Sequence, residues 1–467
     1  MTTRNATLLS GRRHLGPSLF DFPTETLHNI FTHLRPTEAA IARLANKKLA
    51  KIGIEYIVPE VFLVLTEDSF NKCEAIAQHP EIKEHVKSLV FDGVYLEDLD
   101  RQRWEQYGKI REVRLQCDAM SPQMFTEGPE REAEAAAQRK IVEQPYHHYT
   151  QDELDVAFAR YQQYREEQSQ LLQGDVYLER IIKLLAEFHA LKNIVLDTHE
   201  NRTDVGLSTR QLRAAFGSNF PVEKGPRPGS HCAGRSEVYA ILNNAHKAKL
   251  RLETFTCSLL GFRFFSDRPQ DYASYGRSLI HLKSLDLVIY DMYDRDGFSA
   301  CLSLGRVLRF FTAAPYLERL RLGIYSQPSW WTTPAKLEHF VGGFRWTLLV
   351  QVIIEKVWIN ENGFIEFLEK HSSTLKTVEL RHLILMDGVW TSIFHMMRSM
   401  LALDEVGFHG SFADDAGHFE FDMTKTVAEA SFRKNVHDYI VGATEDFQPI
   451  EAYLDEHRYW SLRPILE

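Results

Sequence analysis

LKSLDL (Leu282–Leu287), LERLRL (Leu317–Leu322), LVQVII (Leu349–Ile354), LKTVEL (Leu375–Leu380) and LDEVGF (Leu403–Phe408) share one pattern, apolar-x-x-apolar-x-apolar. The alternation in their last positions is that of a strand with one buried face. Successive starts lie 35, 32, 26 and 28 residues apart, which suits one strand and one helix per unit. Earlier copies read VKSLVF from Val86, IREVRL from Ile110, LKNIVL from Leu191 and LETFTC from Leu252, after an apolar run VFLVL at 61–65. In a chain that is 44% apolar, so short a pattern recurs by chance. The weight falls instead on the amphipathic, helix-like segments before many of these strands: Phe70–Gln78, Tyr177–His189, Val238–Ala248, Leu302–Thr312, Phe364–His371 and Val389–Met400. Helix and strand alternating at this interval predict an α/β fold of repeated units sharing one continuous core, an irregular solenoid; an unrelated α/β domain with an open sheet is the alternative.

Outside the repeat, LFDFPTETLHNIFTHLRPTEAAIARLANKKL (Leu19–Leu49) has a different period. Pro23 suits the start of a helix, and Leu27, Ile30, Phe31 and Leu34 follow at helical spacing. Arg35-Pro36 ends that helix, and Thr37 can cap a second one carrying Ile41, Leu44 and Leu49. Three short helices in about forty residues bury little by themselves, so the segment reads as a docking element.

Phe22-Pro23-x-Glu25-x-Leu27-x-x-Ile30-Phe31-x-x-Leu34-x-Pro36-x-Glu38 resembles the F-box, whose pattern is Leu-Pro-x-Glu, an Ile-Phe pair, a Leu, then Pro-x-Asp or Glu. Thr26 stands where an aliphatic residue is usual, and Leu44-Ala45-Asn46-Lys47 replaces a Val-Cys-Lys. An F-box followed by repeats that resemble degenerate leucine-rich repeats is similar to the fungal F-box proteins. The resemblance implies a substrate-recruiting subunit of a cullin-RING (SCF-type) ubiquitin ligase. It also implies that Phe22, Pro23, Leu27, Ile30, Phe31 and Leu34 meet a Skp-type adaptor while the repeats hold an unidentified target protein. A non-catalytic repeat scaffold outside any ligase is the other reading.

The expected organisation is a disordered tail (1–18), an F-box-like helical module (19–60), a degenerate leucine-rich-repeat-like solenoid (61–410) with inserted loops at 117–149 and 199–234, and a C-terminal capping segment (411–467). The first insert is too polar to build a core. After it, Thr150 and Glu153 form a capping box for a helix carrying Leu154, Phe158 and Tyr161. The tail holds Arg4, Arg12 and Arg13 but no clear amphipathic helix, so a transit peptide is the lesser reading.

A net charge of -10 argues against a general nucleic-acid or anionic-membrane surface. The five cysteines form no Cys-x-x-Cys pair, which favours reduced thiols in cytoplasm or nucleus and no zinc site. Gly229-x-x-x-x-Gly234-Arg235-Ser236 lacks the lysine of a phosphate-binding loop, and His147-His148 has no second ligand pair. No cofactor, metal or catalytic constellation is expected. Function then falls to the outward face of the strands, where alternation places Glu112, Arg114, Asp286, Arg319, Arg321, Glu379, Arg381 and Glu405. Arg319, Arg321 and Arg381 suit bidentate binding of an acidic or phosphorylated segment. Trp330 and Trp331, in a loop, suit a partner hot spot. The positions three residues past each strand core hold none of the Asn or Cys that leucine-rich repeats use to satisfy loop backbone. Irregular turns are therefore expected.

Overall fold

The computed structural model describes residues 22–93, 95–106, 150–197, 224–225, 234–266, 272–290, 295–325, 335–414, 421–422 and 427–448. The tail 1–18, the insert 117–149, most of the insert 199–234, the strand core at Ile110 with Glu112 and Arg114, and Trp330 and Trp331 lie outside these residues.

One open sheet runs through the chain. Its strands are β1 (Glu60–Val64), β2 (Ser88–Asp92), β3 (Asn193–Asp197), β4 (Thr254–Gly261), β5 (Ser284–Tyr290), β6 (Arg319–Tyr325), β7 (Gln351–Glu355), β8 (Thr377–Leu385) and β9 (Glu405–Asp414). Sheet order is chain order, and each neighbouring pair is parallel. A short β10 (Phe421–Asp422) closes the far end antiparallel to β9. The short strand Trp358–Ile359 pairs with the second half of β8.

The leucine pattern explains the register. From β4 to β9, each strand starts two residues after the first leucine of its unit, and Leu252, Leu282, Leu317, Leu349 and Leu375 are fully buried. The residue between leucine and strand donates to its counterpart one unit back: Lys283 N to Glu253 O (2.8 Å), Glu318 N to Lys283 O (2.8 Å), Val350 N to Glu318 O (2.8 Å), Lys376 N to Val350 O (2.8 Å) and Asp404 N to Lys376 O (2.9 Å). This rim ladder holds the units in step before the strands begin.

Alternate strand residues build one core with the crossover helices. Leu285, Leu287 and Ile289, Leu320, Leu322 and Ile324, Val378 and Leu380, and Val406 and Phe408 share a single cluster with Phe70, Ile181, Ile241, Phe310, Phe364 and Phe394 from the helices. The helices therefore cover one face of the sheet. Each buried leucine in such a core is worth about 2–5 kcal/mol against alanine. The expected helix over 302–312 is two, Arg295–Ser303 and Arg306–Thr312, because Gly305 takes a left-handed conformation (φ 63°) between them. The helix Val427–Ile440 adds Phe432, Val436 and Ile440 to the same core beyond β9. At the other edge, the helix Glu67–Gln78 turns back on β1. There Ser69 Oγ accepts from Val64 N (3.0 Å) and Cys73 Sγ reaches Phe62 O (3.5 Å), so edge backbone groups have partners.

The opposite face of β1 is covered by the helix Gln151–Leu172, capped by Thr150 with Glu153 as the sequence predicts. Its Leu154 and Tyr161 pack with Val64, Leu96, Leu99 and Trp104. Tyr161 Oη donates to Glu97 O (2.7 Å), and Gln168 Oε1 accepts from Leu96 N (2.8 Å).

At the positions where an asparagine ladder would lie, Leu260, Tyr290 and Tyr325 continue β4, β5 and β6 instead of turning, and in the last three units the backbone turns left-handed one residue earlier. Glu355, Arg381 and His409 are register partners of adjacent strands, and each is followed by a residue of positive φ: Lys356 (54°), His382 (49°) and Gly410 (74°). A bulge between Arg381 and Leu383 then lets β8 and β9 resume, so Leu383 and Ser411, expected in turns, lie within strands.

Candidate functional site

The N-terminal helices are Thr24–Thr32, Pro36–Ala42 and Lys47–Gly53. Pro23 occupies the N-cap of the first. Pro36 opens the second, with Arg35 rather than Thr37 at its cap; the Arg35 backbone N–H donates to the Glu38 carboxylate (2.8 Å), and the Arg35 guanidinium holds that carboxyl below its ordinary range. Asn46, one of the departures from the F-box pattern, caps the third helix by accepting from Leu49 N (2.8 Å). Thr26, the other, is exposed.

The module has its own small core of Leu27, Phe31, Ala39, Leu49 and Ile52, with Phe22, Leu34 and Tyr56 packed against it. Gly53 is required by close approach: a Cβ there would lie 2.7 Å from the Phe31 ring and 2.4 Å from Arg43 Cγ. Of the residues expected to meet an adaptor, Leu27 and Phe31 are thus buried within the module. Phe22 and Leu34 are half-buried, and Pro23 is exposed. The apolar surface left open comprises Ile30 (36% exposed), Ile41 (69%) and Leu44 (86%). Ile41 and Leu44 stand three residues apart where the second helix runs directly into the 3-10 turn Arg43–Ala45, so they share a face. Sequence reasoning placed both on the second helix but gave no signal that they, and not Leu27 and Phe31, face outward.

The second surface is the sheet face that the crossover helices leave open. Register brings Asp286, Arg321 and Glu379 into one row across β5, β6 and β8, and Glu355, Arg381 and His409 into the next across β7, β8 and β9. Their side chains form a continuous chain of ion pairs, ended by a histidine–carboxylate contact. Arg321 lies 3.9 Å from Asp286 and 3.0 Å from Glu355; Arg381 lies 3.9 Å from Glu355 and 2.6 Å from Glu379; His409 Nε2 lies 3.2 Å from Glu379. The His409 contact and the Arg381 guanidinium hold the Glu379 carboxyl below its usual range despite burial.

The three arginines expected to bind an anion therefore do not form an open triad. The Arg321 side chain is only 10% exposed, and its guanidinium, like that of Arg381, is engaged by carboxylates of the same sheet. Arg319, at the start of β6, is exposed and has no ion-pair partner among the described residues. Beyond the ladder, Tyr290 stacks on Tyr325 (5.9 Å between centroids) and Lys356 Nζ sits 5.3 Å from the Tyr325 ring.

Among the described residues there is no group of three or more His, Cys, Asp or Glu placed to hold a metal ion, and no helix long and apolar enough to cross a membrane. Cys73, Cys257 and Cys301 are buried and form no disulfide; desolvation pushes the Cys73 thiol up to about 12 and the Cys257 thiol further. No family model matches the chain, and no curated protein matches it.

Proposed function

We propose that this chain is a non-catalytic substrate receptor of a cullin-RING (SCF-type) ubiquitin ligase. In this reading the helices between residues 22 and 56 are an F-box that docks on a Skp-type adaptor, and the chain-ordered sheet is a degenerate leucine-rich-repeat-like solenoid that holds a target protein. The observation that carries the reading is the pairing of an F-box-like motif with apolar side chains its own fold does not cover: Leu27 and Phe31 close a core inside the module while Ile41 and Leu44 remain in solvent. Exposed apolar residues so close together mark a contact surface. The chain-order parallel strands and the rim ladder support the repeat reading.

The mechanism is positional. The receptor makes and breaks no bonds; it holds a target lysine near the ubiquitin-charged enzyme and raises its effective concentration. Mixing the full chain with a purified Skp-type adaptor and resolving the mixture by size exclusion tests this. Co-elution as one complex, which then recruits the cullin, is the expected result. A folded chain that elutes apart from the adaptor at micromolar concentration would leave a repeat scaffold as the better account.

A further inference from the structure

The rim where the strands begin carries an apolar patch that neither the core nor the proposed adaptor contact uses. Arg319 and Gln351 are register partners at the starts of β6 and β7. Tyr316 and Leu348, each three residues before them, therefore occupy matching places on adjacent turns, and both are exposed. Val350 is exposed as well and is tied beside Glu318 by its backbone N–H (2.8 Å). One unit earlier, Ile280 is a further exposed apolar residue before β5. Scattered exposed apolar residues need no explanation, but these fall on consecutive turns of one rim.

The charges around the patch are one-sided. Arg319 and Arg345 are exposed, with no ion-pair partner among the described residues. Lys376 Nζ uses one donor on Ala402 O (3.0 Å), which leaves its charge unneutralised. Glu318 is the single acid in the two rim stretches that carry the patch, 313–319 and 342–351. This contrasts with a chain of net charge -10 and with the ion-pair ladder on the open face, where each guanidinium is already matched by a carboxylate.

The geometry points to this rim as a docking surface for an acidic polypeptide segment of a partner protein, one whose apolar side chains cover Tyr316, Leu348 and Val350 while its carboxylates pair with Arg319 and Arg345. The arginine fork suits a carboxylate bidentately, and the apolar patch supplies the water-excluded centre. The inference goes beyond the ligase reading and does not depend on it, since its residues belong to the sheet domain and none to the N-terminal helices.

The test is selection from a random dodecapeptide display library on the immobilised full chain, with counter-selection on a Leu348→Asp, Val350→Asp variant. Both positions are exposed, so the variant's unfolding transition should match the native one. The expected result is enrichment of peptides rich in Asp and Glu with interspersed Leu, Ile or Phe. A synthesised winner should bind the native chain at least about tenfold more tightly than the variant or an Arg319→Gln, Arg345→Gln variant, and should weaken with added salt. Peptides recovered equally on the variant, peptides without carboxylates, or no enrichment would overturn the inference. So would a concentration-dependent dimer in sedimentation that the variant abolishes, because that result assigns the patch to a second copy of the chain.

Discussion

Replacing Glu355 by leucine tests the ion-pair ladder on the open sheet face. Glu355 is the central carboxylate: it accepts a 3.0 Å hydrogen bond from Arg321 and lies 3.9 Å from Arg381. Leucine keeps the apolar volume and removes the acceptor. A hydrogen bond to a charged group is worth about 1.5–3 kcal/mol, and breaking a fully buried pair costs about 3–5 kcal/mol. Arg321 keeps the more distant Asp286 at 3.9 Å, so the expected loss is about 2–3 kcal/mol, in the upper part of the hydrogen-bond range and below that of a fully buried pair. Urea unfolding at constant m-value reads it as a lower midpoint. Adding salt to about 1 M, where the Debye length is about 3 Å, should leave most of the loss in place because the pair is shielded from ions. The double variant Arg321→Met, Glu355→Leu should be more stable than Glu355→Leu alone, since no buried guanidinium is then left short of its partner. A loss under about 0.5 kcal/mol, of the size seen for exposed pairs, would refute the argument, as would a double variant that shows the two losses simply added.

Two further predictions concern the core and the turns. His371 is buried, with Nε2 accepting from Trp346 N (3.0 Å) and Nδ1 donating to Phe367 O (2.7 Å); burial lowers its proton affinity. Its folded pKa lies below the unfolded value of about 6.5, so its contribution is complete above about pH 6.5 and is lost as pH falls below that, when the unfolded chain takes up the proton first. His371→Gln, which keeps an acceptor and a donor, should reduce the stability difference between about pH 7 and about pH 5; an unchanged difference in urea midpoints would contradict the assignment. Gly410→Ala places a Cβ at φ +74° and 2.1 Å from the His382 ring, so a loss of at least about 1–2 kcal/mol is expected, part of it recovered in a His382→Ala background. A native-like unfolding midpoint would show that the left-handed turn is not needed.

The strands were legible because their signal is local. A leucine, two intervening residues and an alternating pair place each strand two residues after that leucine, and period-2 alternation correctly sends Asp286, Arg321, Glu379 and Arg381 to the open face. Their pairing was not legible. Whether Arg321 meets a ligand or Glu355 depends on which residue of β7 stands beside it, and the lengths of the intervening helices set that register. The ends of β8 and β9 were missed for a related reason: only Gly410 hints at a left-handed turn, while Lys356 and His382 adopt one without any sequence mark. In the N-terminal module, helical spacing grouped Leu27, Ile30, Phe31 and Leu34 on one stripe, of which Leu27, Phe31 and Leu34 join the module's core and Ile30 stays exposed. It did not say which part of that stripe the module keeps for its own core. The packing of three short helices around Gly53 decided that, leaving Ile41 and Leu44 outside.

The most direct test of the ligase reading is the affinity of the full chain for a purified Skp-type adaptor, compared with that of an Ile41→Asp, Leu44→Asp variant. Both residues are exposed and outside the module's core, so the variant should keep its circular dichroism and unfolding transition. A native complex that the variant weakens at least about a hundredfold, through two carboxylates stripped of water at an apolar contact, is the predicted result. Equal binding by native chain and variant, or no binding by the native chain, would contradict the account.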